Sequence, residues 1–167
     1  VHYQLDLTDF AKIKKIYQEI EEKFGRIDVL INNAGIAKFA GFMDENLEDF
    51  DFTFNVNVKS HILLSQLVAK QMIKNKIAGK IIFTSSVKGL FGSKGRLDYA
   101  ASKAALVSIT QTMAVELGQY GINVNAVCPF SVETTFNPKL LSDKEFRQKR
   151  IESIPMGRIS QPEDIAG

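Results

Sequence analysis

The stretch RIDVLINNAG, residues 26–35, decides the fold. Its apolar run IDVLI (27–31) does not alternate with polar residues, the pattern of a strand buried on both faces of a parallel sheet. It runs straight into NNAG (32–35), a cluster of turn formers. Upstream, TDFAKIKKIYQEIEEKFG (8–25) carries Phe10, Ile13, Ile16, Tyr17, Ile20 and Phe24 at helical spacing, with Thr8 or Asp9 as N-cap and Gly25 as stop signal. Before it, HYQLDLT predicts a short strand ending in Asp6. Downstream, a polar loop rich in Phe leads to a long helix from about Leu47 to Lys74. GKIIFTSS (79–86) is a second buried strand, ending in hydroxyls, and VKGLFGSKGRL after it reads as a loop. Tyr99 to Gln119 is a helix with Leu106, Ile109, Met113 and Leu117 on one face and Gly121 beyond its end. INVNAV (122–127) is a further strand, and CPFSVETTFNPKLL is irregular. SDKEFRQKRIES (142–153) reads as a helix with Ser142 as N-cap and Glu145 completing a capping box, and PEDIAG begins another.

Strands alternating with helices at this spacing imply an α/β fold with a parallel sheet. No repeat, linker or low-complexity segment interrupts it, so residues 1–167 are expected to form one domain. A net charge of +2 with no basic block gives no reason to expect nucleic acid. No apolar run is long enough to cross a bilayer, and VHYQLDLTDF lacks the regions of a signal peptide. A single cysteine, Cys128, suits a reducing compartment, and with two histidines no zinc-type cluster can be assembled. A cytoplasmic location without a bound metal is the expectation.

In open parallel sheets the ligand crevice lies at the carboxyl ends of the strands. Here those ends carry Asp6, NNAG, the TSS of residues 84–86 and CPFSVET. Tyr99 and Lys103 stand four apart, one helical turn, on the helix that follows TSS. A free tyrosine has a pKa of about 10; a nearby cation favours the phenolate and lowers it. Tyr99 could then exchange a proton with an alcohol or carbonyl oxygen, held in place by a serine hydroxyl. Such a site moves one proton, and the accompanying hydride needs a nicotinamide.

Taken in order, FGRIDVLINNAG (24–35), FNVNVKS (54–60), GKIIFTSSVKG (79–89), YAASKAAL (99–106), GINVNAVCP (121–129), VETTF (132–136) and IPMGRISQPEDIA (154–166) resemble the short-chain dehydrogenase/reductase family from end to end. The resemblance implies a doubly wound, Rossmann-type parallel sheet. It makes Tyr99 the acid/base, Ser86 the residue that orients the substrate oxygen, and Lys103 the residue that lowers the tyrosine pKa and binds the nicotinamide ribose. Asn57 falls where the family keeps an asparagine that helps hold a water. Asn33, Ala34 and Gly35 match the adenosine side of an NAD or NADP site, and Asp6 with Leu7 the pair contacting the adenine. Pro129, Val132 and Thr134 match positions around the nicotinamide carboxamide. The implied reaction is hydride transfer between the cofactor and a secondary alcohol or ketone: a 3-oxoacyl thioester, a sugar or a polyol. The implied assembly is a homodimer or tetramer through helices 47–74 and 99–119. Other readings are an epimerase or dehydratase of the extended relatives, a non-catalytic binding protein derived from the family, and an inactive fragment.

Two departures stand out. Phe130 replaces the family's usual glycine, where Gly allows positive φ or close backbone approach. The Gly-rich turn that cradles the pyrophosphate, TGxxxGxG, occurs nowhere in the sequence. The expectation is therefore an incomplete fold, truncated at both ends, with the first two strands and the last strand missing and HYQLDLT left without a neighbour. The acidic or basic residue that separates NAD from NADP belongs to the second of those strands. If the 167 residues are the whole polypeptide, weak cofactor binding and little activity are expected. Lys88, Ser93, Lys94, Arg96 and Asp98 read as a solvated loop, Phe39, Phe42 and Phe130 as an apolar wall or core, and His61 as a packing or surface residue.

Overall fold

In a computed structural model, residues 1–136 and 142–166 are described. They fall into two compact units, Val1–Cys128 and Pro129–Gly167.

The first unit is a Rossmann-type α/β layer. Three parallel strands, β1 (Val29–Asn32), β2 (Lys80–Thr84) and β3 (Asn123–Val127), lie side by side in that order. Leu30 pairs with Ile81 and Ile81 with Val124. The connecting helices are α1 (Phe10–Phe24), α2 (Leu47–Phe54), α3 (Ser60–Lys74) and α4 (Leu97–Leu117). Helix α1 begins where the Asp9 side chain accepts from the Lys12 amide and ends where Gly25 takes a left-handed φ of 74°, as its sequence signals require. The core lies on one face of the sheet, where Ile81, Phe83 and Val124 meet Tyr17 of α1, Val68 and Met72 of α3, and Leu106 of α4.

Three expectations change. IDVLI is not buried on both faces: Val29 and Ile31 are 48% and 61% exposed, because the described helices cover only the Leu30 side of the sheet. HYQLDLT forms no strand. A strand needs a partner ladder, and the doubly wound order sets this segment apart from β1 by two strands that the 167 residues do not supply. The helix 47–74 is continuous but not uniformly α. Asn55–Lys59 forms a π turn, closed by the Ser60 amide donating to the Asn55 carbonyl. Such turns widen the helix by one residue and re-aim the side chains they carry.

The second unit holds α5 (Lys144–Glu152) and α6 (Glu163–Ala166). The N-cap of α5 is Asp143, whose side chain accepts from the Phe146 amide at 2.9 Å, one residue later than the predicted Ser142; Glu145 pairs with Lys149 instead of closing a box. Residues 137–141 of the stretch read as irregular lie outside the described residues. Among the described non-glycine residues only Lys76 has positive φ, so Phe130 occupies ordinary backbone and its replacement of glycine brings no φ strain.

Candidate active site

The site is built from the carboxyl end of β2 outward. Ser85 and Ser86 follow the strand and are nearly inaccessible, at 3% and 6% exposure. The Ser85 hydroxyl donates to the carbonyl of Lys103 at 2.7 Å, tying the strand end to the second turn of α4. Ser86 accepts from the Lys88 amide at 3.1 Å, capping a short 3-10 turn over Val87–Gly89. The same hydroxyl is close enough to the Tyr99 phenol to favour its phenolate.

Gly89 explains how close that turn sits. A Cβ added there would lie 2.6–2.8 Å from the backbone of Lys103 and Ala104. Gly89→Ala should therefore destabilise the protein by about 1–3 kcal/mol, the usual range for overpacking, and displace Ser86 from Tyr99. Chemical denaturation and turnover of the variant check both; an unchanged midpoint would show that the turn has room.

Tyr99 and Lys103 project from the first turns of α4. That helix starts at Leu97, two residues before its predicted beginning, so Asp98 belongs to it. Asp98 is 1% exposed and not part of a solvated loop. Its carboxylate accepts from Thr53 Oγ1 of α2 at 2.6 Å and from the Tyr99 amide at 2.6 Å. The bond to α2 fixes where α4 begins, and hence where Tyr99 points.

Lys103 is 3% exposed, and its ammonium donates to the Thr84 carbonyl at 2.7 Å. Burial pushes its pKa down to about 8. Burial also raises the Tyr99 pKa, while the Ser86 hydrogen bond and the Arg96 charge oppose it. The cation read from the sequence as lowering the tyrosine was Lys103; here the pull comes from Arg96. Lys103 Nζ stands 5.7 Å from the Tyr99 ring centroid and is turned to the strand-end carbonyl.

Asn57, fully buried, sits in the π turn. Its Oδ1 accepts from the Ile36 amide at 2.8 Å, and its Nδ2 donates to the Ile36 carbonyl at 2.9 Å and to Ser102 Oγ at 3.0 Å. Ser102 in turn donates to the Tyr99 carbonyl at 2.7 Å. Asn57 thus ties the segment after NNAG to α4. Asn33 Oδ1 accepts from Thr84 Oγ1 at 2.9 Å, joining the ends of β1 and β2. A Cβ on Gly35 would come within 3.2 Å of Lys103 Nζ and 3.5 Å of Asn57 Oδ1. His61, one turn beyond Asn57, is 1% exposed, and neither ring nitrogen has a well-formed hydrogen bond among the described residues. Its pKa is pushed down to about 4, by burial first and then by Lys103, with the Ala34 backbone opposing. The imidazole is neutral at physiological pH.

The structure therefore brings together Ser86, Tyr99, Lys103, Asn57 and the Asn33–Gly35 turn. Asp6 and Leu7 stand at the entry to α1. The Asp6 carboxylate accepts from the Thr8 amide and hydroxyl, both at 2.8 Å, and the first of these bonds is the main cause of its lowered pKa. Pro129, Val132 and Thr134 belong to the second unit, where Val132 bridges Ser160 and Thr134 Oγ1 accepts from the Phe136 amide at 3.3 Å. Ser85, Ser102, Thr53 and Asp98 were not singled out as supports of the site; the spacing of Tyr99 and Ser102, i and i+3 on one helix, was the available signal for one of them.

These residues suit one end of a dinucleotide. The Lys103 ammonium has three N–H donors and spends one on Thr84, leaving two for vicinal hydroxyls. The missing Cβ of Gly35 keeps the adjoining space open. The sequence holds no Gly-rich turn for a pyrophosphate. Among the described residues no His, Cys, Asp and Glu cluster could hold a metal ion, and no helix is long and apolar enough to cross a membrane.

The short chain dehydrogenase family model matches residues 1–145. A 3-oxoacyl-acyl-carrier-protein reductase of Thermotoga maritima is 42% identical over 164 residues, which are 98% of this chain and 65% of the relative. An L-rhamnose 1-dehydrogenase (NAD(P)(+)) of Azotobacter vinelandii is 37% identical over 97% of this chain and 63% of its own length. Among solved structures, a gluconate 5-dehydrogenase from Burkholderia cenocepacia in complex with NADP and tartrate superposes with a TM-score of 0.88 at 32% identity, covering 94% of this chain and 61% of that one. The chain thus spans somewhat under two thirds of the length of these proteins.

Proposed function

The chain belongs to the short-chain dehydrogenase family, and on that premise we propose that it serves an NAD(P)-dependent oxidoreductase acting on a secondary alcohol or the corresponding ketone. The observation that carries this reading is the placement of Tyr99 beside the buried Lys103 ammonium, with the nearby Ser86 hydroxyl favouring its phenolate. A bound nicotinamide would supply the hydride acceptor or donor.

In the oxidative direction Ser86 Oγ donates to the substrate oxygen and holds it against Tyr99 Oη. Tyr99, as phenolate, takes the hydroxyl proton. Lys103 would donate to the cofactor's ribose and, below its pKa of about 8, would as an ammonium favour the phenolate. Asn57 ties the Ile36 backbone to Ser102 in the second turn of α4, so that the proton acceptor and the cofactor side keep their spacing. Asp6, Leu7, Asn33, Ala34 and Gly35 serve the adenosine end, and Pro129, Val132 and Thr134 the carboxamide end. A 3-oxoacyl thioester, a sugar or a polyol fits the class, as the similar proteins' names indicate. A cytoplasmic homodimer or tetramer forming a single catalytic domain per subunit, with NAD or NADP as cofactor and no nucleic-acid or membrane partner, completes the reading.

Two pH profiles test it. Burial raises the Tyr99 pKa, so the phenolate population grows towards alkaline pH. Oxidation should rise with pH, and reduction, which needs the phenol, should fall through the same ionisation. The measurement is initial hydride transfer at 340 nm in both directions, with a deuterated substrate to establish that chemistry limits the rate. A flat profile under a full isotope effect would overturn the acid/base role.

A further inference from the structure

His61 is a buried titratable group that the proton-transfer set does not use. It is 1% exposed, and the ring of Phe83 in β2 lies 6.4 Å from its own. A neutral imidazole carries one N–H and one bare nitrogen, and neither has a well-formed hydrogen bond among the described residues. Burying such a ring is costly, and a leucine would occupy the place without that cost.

The register of the helix against the end of β1 gives the histidine a task. Asn57, His61 and Ser65 recur at four-residue spacing along the π turn and α3. At one end Ser65 Oγ accepts from Asn32 Nδ2 at 3.0 Å. At the other, Asn57 makes two bonds to the Ile36 backbone, at 2.8 and 2.9 Å. A four-residue helical step advances about 6 Å, and two residues of chain reach up to about 7 Å. The two runs therefore keep step in opposite directions. His61, midway between Ser65 and Asn57, falls opposite Ala34, midway between Asn32 and Ile36. The Ala34 backbone is also the group that opposes the fall in the His61 pKa, as an acceptor for a ring N–H does. The neighbours of Ala34 belong to the site: Asn33 accepts from Thr84 Oγ1, and Gly35 leaves room for Lys103 Nζ.

We propose that His61 is a positioning residue: its imidazole donates to the Ala34 carbonyl, as the middle rung of a ladder that fixes the turn Asn33–Gly35 for the adenosine end of the cofactor. The proposal rests on the oxidoreductase reading, which assigns that turn to the cofactor. It adds a residue that touches neither cofactor nor substrate and acts through the turn.

The test compares the full chain with His61→Leu, which loses both nitrogens, and His61→Gln, which restores a donor. In the parent at neutral pH, the His61 ring N–H should give a slowly exchanging proton NMR signal close to Ala34. This measurement needs no variant, so it decides the contact even if His61→Leu does not fold. Amide exchange at Ala34, Gly35 and Ile36, normalised to Ile81 and Val124 in the core, should quicken about tenfold in His61→Leu and less than threefold in His61→Gln. By calorimetry, His61→Leu should bind NAD or NADP about fivefold more weakly, the worth of one hydrogen bond, and His61→Gln within twofold of the parent. In turnover, the rise in cofactor KM should exceed the fall in kcat. Gln71→Leu removes a buried polar group towards the other end of α3 and should leave turn exchange and cofactor affinity within twofold. A ring proton that exchanges with solvent at once, or lies against the buried Asn32 Oδ1 instead, overturns the proposal. So do turn amides that keep pace with the core in His61→Leu, or cofactor affinity unchanged in that variant. Local quickening rescued by glutamine in a chain that binds neither cofactor supports the His61–Ala34 rung and rejects the cofactor reading, so the two fail separately.

Discussion

Tyr99→Phe is expected to lower turnover by about 10²–10⁴-fold, the span of positioned general acid–base catalysis, while cofactor affinity stays within about twofold. The substitution removes one oxygen. The ring that packs near Arg96 and Lys103 is retained, as are the backbone bonds from the Tyr99 amide to Asp98 and from Ser102 to the Tyr99 carbonyl. The hydroxyl's interaction with Ser86 is lost, and the Ser86 hydroxyl still accepts from the Lys88 amide. Stability should therefore change by no more than about 1 kcal/mol, the net worth of one neutral hydrogen bond. Steady-state rates at 340 nm, calorimetric titration with NAD and NADP, and a thermal melt separate the three effects. Undiminished turnover in a folded variant would remove Tyr99 from the mechanism.

How much of this was legible depends on how local each feature is. Helix α1 was readable to its caps because Asp9 and Gly25 act within one turn. The parallel order of β1, β2 and β3 followed from apolar runs separated by helical stripes. HYQLDLT misled because alternation reports a capacity for pairing, and pairing depends on a neighbour far away in sequence. The π turn at Asn55–Lys59 was hidden, since its hydrophobic pattern continues that of α3 with one residue inserted.

In the site, Ser86, Tyr99, Lys103 and Asn57 could be chosen by residue type and order, and they lie together. Their electrostatics could not be read that way. Spacing places a cation one turn from a phenol, yet burial, which no spacing reports, raises the tyrosine and depresses the lysine. Asp98 looked like a loop carboxylate because its partner, Thr53, is 45 residues away.

The depressed lysine leads to the second large effect, in which activity and stability move in opposite directions. Lys103→Met should lower kcat/KM by at least about 10²-fold, because two charge-assisted hydrogen bonds to a ribose are worth roughly 1.5 kcal/mol or more each. At pH 7 the same variant should be as stable as the parent or more so. In the folded protein the ammonium has a pKa of about 8 against an ordinary 10.5. Folding therefore weakens proton binding at this site, and the cost of burying the charge is fully present below pH 8. It is relieved as pH rises from 8 to 10.5. The displacement corresponds to about 3 kcal/mol. Methionine fills similar space without charge, but it strands the Thr84 carbonyl now bonded at 2.7 Å, a loss of about 1–3 kcal/mol. The two terms nearly cancel or favour methionine at neutral pH. Near pH 10.5 only the loss remains, and the variant should be the less stable protein. Denaturation midpoints of both proteins at pH 7 and pH 10.5 measure the change. A stability difference that does not move towards the parent as pH rises would show that burial does not strain the Lys103 charge, and would leave its depressed pKa without a thermodynamic consequence.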